Sequence, residues 1–463
     1  MVRPLNSIVG RVLLLAPAVW AALDVDINNE DSIKKAAALV AEDLMSYYIG
    51  EKPNEIPGIL PGPPPNGNYY WWSGGLLWNT LIDYRNVTGD TKYTDSIVKG
   101  MEWQMGDHHD FVPANWTLNL SNGDQGTWAN AALAAAMAGL PSPSKSQETP
   151  DWLSVARTVV DEQSLRRLNN GTCKGALRFA IYQVMNGYNY LDTTSSANYF
   201  ALTAGLAHAT KNDTLAKQAA STYDMMTTAG WIDNDFNVFD GAQTENDCKL
   251  INKLQFSQNP GLLLTGAAYM FQQTNSDEAW KKRIDGLLDR TLKFFFPDGV
   301  AKEVACERTG QCNIDMKMYK GMLHRALGKT MQLAPYTKDK ILPVLKTSAA
   351  AAVKTCTAGQ NQRLCSAYWA EDSDVEAGAK DGAAAQLTVL NALNSVLMAN
   401  PQSGGNGSSP AGGSGSNAGG NGQQGSTDAA GGKKDSPGSM GASTTVSTAA
   451  LFGGLFFGAL ALF

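Results

Sequence analysis

Between residues 24 and 400 apolar side chains recur at the three-and-four spacing that lines them up on one face of a helix. In Ser32–Tyr48, the residues Ile33, Ala36, Ala37, Val40, Leu44 and Met45 form one stripe. The segments Asp213–Gly230, Leu250–Gln273, Ala279–Phe295, Ile314–Leu333, Ile341–Lys354 and Ala383–Ala399 follow the same rule. About twelve or thirteen such segments are present, with few of the alternating stretches that a half-buried strand requires. Short polar residues punctuate them: Thr88-Gly89-Asp90 before Lys92–Trp103, Asn212-Asp213-Thr214 before Ala216–Met226, and Asn122-Gly123-Asp124-Gln125 before the alanine-rich run Trp128–Ala138. No short fixed repeat is visible, so the pattern predicts an all-α domain over 23–400 built of irregular antiparallel helix pairs.

The two ends break the pattern. Arg3 and Arg11 precede the apolar run Val12–Ala22, with Val19 and Ala21 placed as small residues before a cut after Ala21 or Ala22; residues 1–22 are expected to be a signal peptide. The run is about half the length that a bilayer span needs. At the other end the apolar stretch Ala449–Phe463 follows a polar spacer and the small residues of Ser436–Gly441. That order predicts a glycosylphosphatidylinositol (GPI) attachment signal over 441–463, with Ser436, Gly438 or Gly441 as the attachment residue. Residues 401–440 are Gly- and Ser-rich with too little apolar surface to fold, and are expected to form a flexible stalk. The expected location is therefore secretion through the ER to the outer face of the plasma membrane, on a GPI anchor in the outer leaflet, or to the cell wall.

Charge and cysteine usage narrow the chemistry. With 37 basic against 43 acidic residues the net charge is −6, which leaves no footprint for nucleic acid. The six cysteines lack any C-x-x-C spacing, so disulfides are expected rather than zinc. Their spacing suggests two local clips, Cys306–Cys312 and Cys356–Cys365, leaving Cys173 with Cys248. Glycosylation sequons begin at Asn86, Asn115, Asn119, Asn170, Asn212 and Asn406. The tethered, glycosylated domain gives no reason to expect more than a monomer.

Three segments could carry chemistry. Tyr69-Tyr70-Trp71-Trp72-Ser73-Gly74-Gly75 is dense in rings that could stack on sugar faces, next to glycines that open space, although such rings also build cores. Asp124 stands in a polar turn ahead of a helix, where a carboxylate is either a cap or a reactive group. Asp233, Asp235 and Asn237 have the first spacings of a calcium loop, but Val238 and Thr244 occupy the positions that need glycine and glutamate, so no metal is expected. His108-His109-Asp110 reads as a loop surface. Neither a phosphate loop nor a dinucleotide, zincin or serine-hydrolase motif is present, and no cofactor is expected.

At these residues the sequence resembles glycoside hydrolase family 76, in particular its fungal GPI-anchored members of the mannan endo-1,6-α-mannosidase type. The likeness runs over Leu23 to Met398 and rests on Tyr69–Gly75, Ile82-Asp83-Tyr84 with Thr88-Gly89-Asp90, Asn122-Gly123-Asp124-Gln125 with Trp128, Cys173 through Gly187-Tyr188-Asn189-Tyr190, Trp231-Ile232-Asp233 through Asp240-Gly241-Ala242, Asn252–Phe256 and Gln332–Tyr336. The resemblance implies an (α/α)6 barrel with a groove at one end. It implies Tyr70, Trp71, Trp72, Asn122, Gln125, Trp128, Tyr188, Asp235 and Asp240 as substrate-binding residues. It also implies a retaining mechanism on α-1,6-linked mannan or GPI-glycan mannose, hydrolytic or with wall glucan as acceptor. In the family pattern Asn-Asp-Asp-Gln the first aspartate is the nucleophile and the second the acid/base, which here is Asp124. This chain departs from it: Gly123 stands at the nucleophile position, and Ser195-Ser196-Ala197 replaces a Ser-Asn-Gly element. Three outcomes are open: a working mannosidase or transglycosidase, in which Asp235 or Asp240 compensates or Asp124 serves as acid in an inverting route; a pseudoenzyme that binds the glycan; or a structural wall protein.

Overall fold

The computed structural model describes residues 23–116, 120–143, 150–370 and 381–400. The expected signal peptide, stalk and GPI signal lie outside these residues, as do the Asn119 and Asn406 sequons. Twelve α-helices run through the described residues: α1 Glu30–Met45, α2 Trp72–Thr88, α3 Thr94–Gln104, α4 Asn122–Met137, α5 Trp152–Arg166, α6 Thr193–Thr210, α7 Asp213–Thr228, α8 Gln258–Gln273, α9 Glu278–Phe295, α10 Met316–Leu333, α11 Lys338–Lys354 and α12 Gly382–Leu397. The even-numbered helices pack side by side in the order α2, α4, α6, α8, α10, α12, and α12 returns to α2 to close a ring. The odd-numbered helices lie outside it, α5 on α4, α7 on α6 and α9 on α8. This is the expected (α/α)6 barrel.

The two rings follow from side-chain distribution. Every residue of α12 after Gly382 is buried, whereas α9 buries Trp280, Ile284, Leu287, Leu288, Thr291 and Phe295 on one face only. A helix apolar all round needs neighbours on every side, and a one-sided helix needs one covering layer. Inside the ring the Asp83 carboxylate takes the Arg325 guanidinium and, at 3.0 Å, the Lys329 ammonium. No described helix is long and apolar enough to cross a membrane.

Three local expectations change. Thr88-Gly89-Asp90 ends a helix instead of starting one: Gly89 closes α2 in the left-handed region (φ 78°), and α3 begins at Thr94. The alanine-rich helix begins at Asn122, six residues before Trp128, because Ser121 and Asp124 form a capping box. Leu250–Gln273 is not one helix: Ile251–Asn252 forms β3, which pairs antiparallel with β2 (Gly241–Gln243), itself paired with β1 (Tyr190–Asp192), and α8 starts only at Gln258. The three disulfides pair as expected, Cys173–Cys248, Cys306–Cys312 and Cys356–Cys365.

Candidate active site

A cleft of about 380 Å³ opens where the inner helices begin. Its lining includes Trp72 from the first turn of α2, Gly123, Asp124 and Thr127 from α4, Thr194 from α6, Gln258 from α8 and Tyr319 from α10, with Asp192 and Asp315 immediately ahead of α6 and α10. Because an outer helix running back separates each inner helix from the next, the inner helices present the same end to this face.

Asp124 is held by the capping box. Its Oδ2 accepts from Ser121 N at 3.1 Å, and its own N–H donates to Ser121 Oγ at 2.9 Å. The cap fixes the carboxyl at the edge of the cleft, and burial pushes its pKa up to about 6 against the lowering by the Ser121 bonds. A carboxyl so placed holds its proton for part of the time near neutral pH and can deliver it to a leaving oxygen.

Two further carboxylates line the cleft, and both were missed in the sequence. Asp192 caps α6 by accepting from Ser195 N at 3.1 Å, and burial, with the nearby Asp240 charge, raises it to about 7. Asp315 accepts from Trp72 Nε1 at 3.2 Å, and burial together with the charge of Asp124 raises it to about 7. An aspartate before a helix has the appearance of an ordinary cap; only closure of the barrel places these two in a cleft.

The expected substrate-binding residues divide. Tyr70, Trp71 and Trp72 line the cleft, joined by Trp116 and Phe179, and Tyr70 is half exposed. Trp128 is fully buried instead, stacked on Trp71 with ring centroids 5.0 Å apart. The space opened by Gly74 and Gly75 is taken by this indole: a Cβ on Gly74 would meet Trp128 Cζ2 at 2.7 Å. Asn122 and Gln125 are buried in scaffold bonds, Asn122 Nδ2 donating to Arg178 O at 2.8 Å and Gln125 Nε2 to Asp110 O at 2.7 Å. Asp110 is therefore part of the interior support and not of a loop surface.

Tyr188 lies outside the cleft lining, under the Arg178 guanidinium at 4.4 Å from the ring centre. Asp235 is exposed in a turn where Asp233 accepts from the Asp235 and Asn237 N–H groups. Asp240 sits beside the cleft lining, taking the Tyr190 hydroxyl and, at 3.0 Å, Asn252 Nδ2. Neither is among the residues that line the cleft. Among the described residues no group of three or more His, Cys, Asp or Glu side chains is placed to hold a metal ion. Of the sequons, Asn115 and Asn170 are exposed, Asn86 and Asn212 are half-buried, and Asn212 Oδ1 caps α7 by accepting from Thr214 and Leu215 N–H groups.

An (α/α)6 barrel whose open end combines an aromatic wall with buried carboxylates has the equipment of a glycoside hydrolase. The chain belongs to glycosyl hydrolase family 76, whose family model matches residues 32–406. It is 34% identical over 367 residues to mannan endo-1,6-alpha-mannosidase DCW1 of Saccharomyces cerevisiae, covering 79% of this chain and 80% of that protein. The crystal structure of Dfg5 from Chaetomium thermophilum in complex with glucosamine is similar at a TM-score of 0.77 and 42% identity, covering 81% of this chain and 92% of that one. An α-1,6-mannanase of Salegentibacter sp., in an inactive variant with two adjacent aspartates replaced by asparagine and α-1,6-mannotriose bound, shares the fold at a TM-score of 0.62 and 16% identity, covering 80% of this chain and 100% of that one.

Proposed function

We propose that this protein cleaves or transfers α-1,6-linked mannosides of mannan or of GPI glycans in fungal cell-wall biogenesis, with Asp124 as the proton donor. The observation that carries this reading is the Asp124 carboxyl, fixed by its capping box on an aromatic-lined cleft and raised to about 6. Relatives named for mannan endo-1,6-α-mannosidase activity and a family-76 fold found with α-1,6-mannotriose support the choice of sugar. A signal peptide, a stalk and a GPI anchor would deliver the domain to the outer leaflet or the wall, where a glucan can serve as acceptor. Release of the full-length protein from cells by phosphatidylinositol-specific phospholipase tests the anchor.

The test of the chemistry is turnover of α-1,6-mannan by the purified domain and by Asp124→Asn. General acid catalysis is worth roughly 100-fold or more, so the variant is expected to lose at least that factor. Equal rates would remove Asp124 from the reaction. One observation favours a second reading, binding without turnover: position 123 carries no carboxylate. Under it, α-1,6-mannotriose binds in calorimetry while neither form turns over.

A further inference from the structure

Most polar groups on the cleft wall are committed to the protein itself. Ser121 and Asp124 bond each other in the capping box, Thr127 Oγ1 donates to Gly123 O at 3.0 Å, and Thr194 Oγ1 donates to Asn259 Oδ1 at 2.8 Å. Asp192 is closed off as well, one oxygen taking Ser195 N and the other buried. The start of α10 is different. Asp315 gives only Oδ1 to the protein, to Trp72 Nε1 at 3.2 Å, and its Oδ2 has no donor among the described residues. Tyr319 lines the same cleft, and its hydroxyl makes no hydrogen bond to a described residue. Neither atom is shut away from solvent, so both present hydrogen-bonding capacity to the cleft. The two are also rigidly held. Asp315 has helical backbone angles (φ −67°, ψ −48°), so it and Tyr319, four residues on, stand one turn apart on the same face of α10. The Trp72 indole fixes the Asp315 carboxyl, and the Tyr319 ring packs with its centre 6.3 Å from that of Trp72 and 5.8 Å from that of Phe256. Fixed polar atoms without a protein partner, beside an aromatic wall, are what a site needs to tell one hydroxyl arrangement from another.

Resting on the α-mannoside reading above, we propose that Asp315 and Tyr319 are specificity determinants of this cleft, taking between them the axial 2-hydroxyl and the adjacent 3-hydroxyl of one mannosyl unit. Mannose and glucose in α-1,6 linkage differ only in the direction of the 2-hydroxyl. In glucose the equatorial hydroxyl points away from a pair set for the axial one, and a largely desolvated carboxyl is left without its donor. That unpaired group is what rejects the epimer. The pair acts by binding and orientation; proton delivery to the leaving oxygen stays with Asp124, which faces it across the cleft, near enough for its charge to act on Asp315.

The test is calorimetric affinity of the purified protein for α-1,6-mannotriose and for α-1,6-glucotriose, which are epimers at C2 of every unit. Wild type is expected to prefer mannotriose by about 10-fold or more. Asp315→Asn keeps an oxygen for Trp72 Nε1 but turns the free acceptor into a donor, and Tyr319→Phe keeps the ring packing, so both are expected to melt near wild type. Mannotriose binding is expected to weaken about 10-fold or more in Asp315→Asn and about 3-fold to 10-fold in Tyr319→Phe. Glucotriose binding changes little in either, so the double variant binds the two sugars about equally. A merely structural role would weaken both sugars alike; parallel losses therefore overturn the proposal. Equal binding of the two sugars by wild type, or unchanged mannotriose binding in the double variant, overturns it too, while Asp124-dependent turnover of mannan stands. If wild type neither binds mannotriose nor turns over mannan, the functional reading falls and the proposal falls with it.

Discussion

Asp124 and Asp315 face the same cleft from α4 and the start of α10, three places apart in the six-helix ring, and the charge of Asp124 holds the Asp315 carboxyl up, second only to burial. The single hydrogen bond from Trp72 Nε1 works in the opposite direction. Asp124→Asn is therefore expected to lower the Asp315 titration from about 7, and Trp72→Phe to raise it, because the first removes a like charge and the second a donor to the charged form. Carboxyl carbon NMR over pH 4 to 9 on the two variants reads both shifts. Movement in the same direction in both would show that the coupling across the cleft is misassigned.

Burial gives the domain a pH signature. Asp192, Asp315 and Glu303 all have raised pKa values, to about 7, 7 and 8. For Glu303 burial is the largest cause, opposed by bonds from Ser257. The unfolded chain gives up these protons near pH 4, so between pH 4 and 8 the folded state binds more protons than the unfolded one. Stability then falls as pH rises through that window. The melting temperature is expected to drop from pH 5 to pH 8, and Glu303→Gln to flatten the curve at its upper end. A melting temperature that rises over this range would mean that other groups dominate the linkage.

The disulfides contribute unequally. Cys173–Cys248 closes a loop with a sequence separation of 75 and ties the segment before β1 to that between β2 and β3, whereas Cys306–Cys312 closes a separation of 6. Loop entropy alone gives about 4 kcal/mol for the first and about 2 kcal/mol for the second. Replacing each pair by alanines, with urea unfolding as the measure, should reproduce that order. A larger loss from the short clip would point to strain or local packing instead.

The barrel was legible because its helices carry the burial pattern on their own sequence. Ser32–Tyr48 and Ala279–Phe295 each declare one buried face; Ala383–Ala399 declares a face too, and its burial on all sides emerges only with the closed ring. The cleft was only half legible. Tyr70 to Trp72 showed as a ring-rich loop, but Asn122, Gln125 and Trp128 belong to the support: Gln163 and Arg166 on α5 hold the first two, and the third fills the space over Gly74 and Gly75. Residues that build a site's scaffold recur in a pattern beside those that face the substrate, and spacing does not separate them. Asp192 and Asp315 carried the opposite problem. A lone aspartate before a helix is common, and its meaning depends on which other helix starts beside it, information that exists only after the ring closes.

The aromatic residues allow that distinction to be measured directly. Tyr70 is 50% exposed over the cleft and Trp128 is 0% exposed beneath it, packed on Trp71 and on Phe111 with ring centroids 5.6 Å apart. Tyr70→Ala removes a stacking surface worth about 1 kcal/mol, so binding of α-1,6-mannotriose is expected to weaken roughly 5-fold to 10-fold with the melting temperature held. Trp128→Ala empties a large core volume and is expected to cost about 3–5 kcal/mol of stability. Calorimetric affinity and urea unfolding on both variants separate the two effects: affinity changes first at Tyr70, stability first at Trp128. Should Tyr70→Ala bind as tightly as wild type, sugar stacking would belong to Trp72, Trp116 or Phe179 on the same wall. Should Trp128→Ala unfold as wild type does, the ring would not be the support on which Trp71 stands.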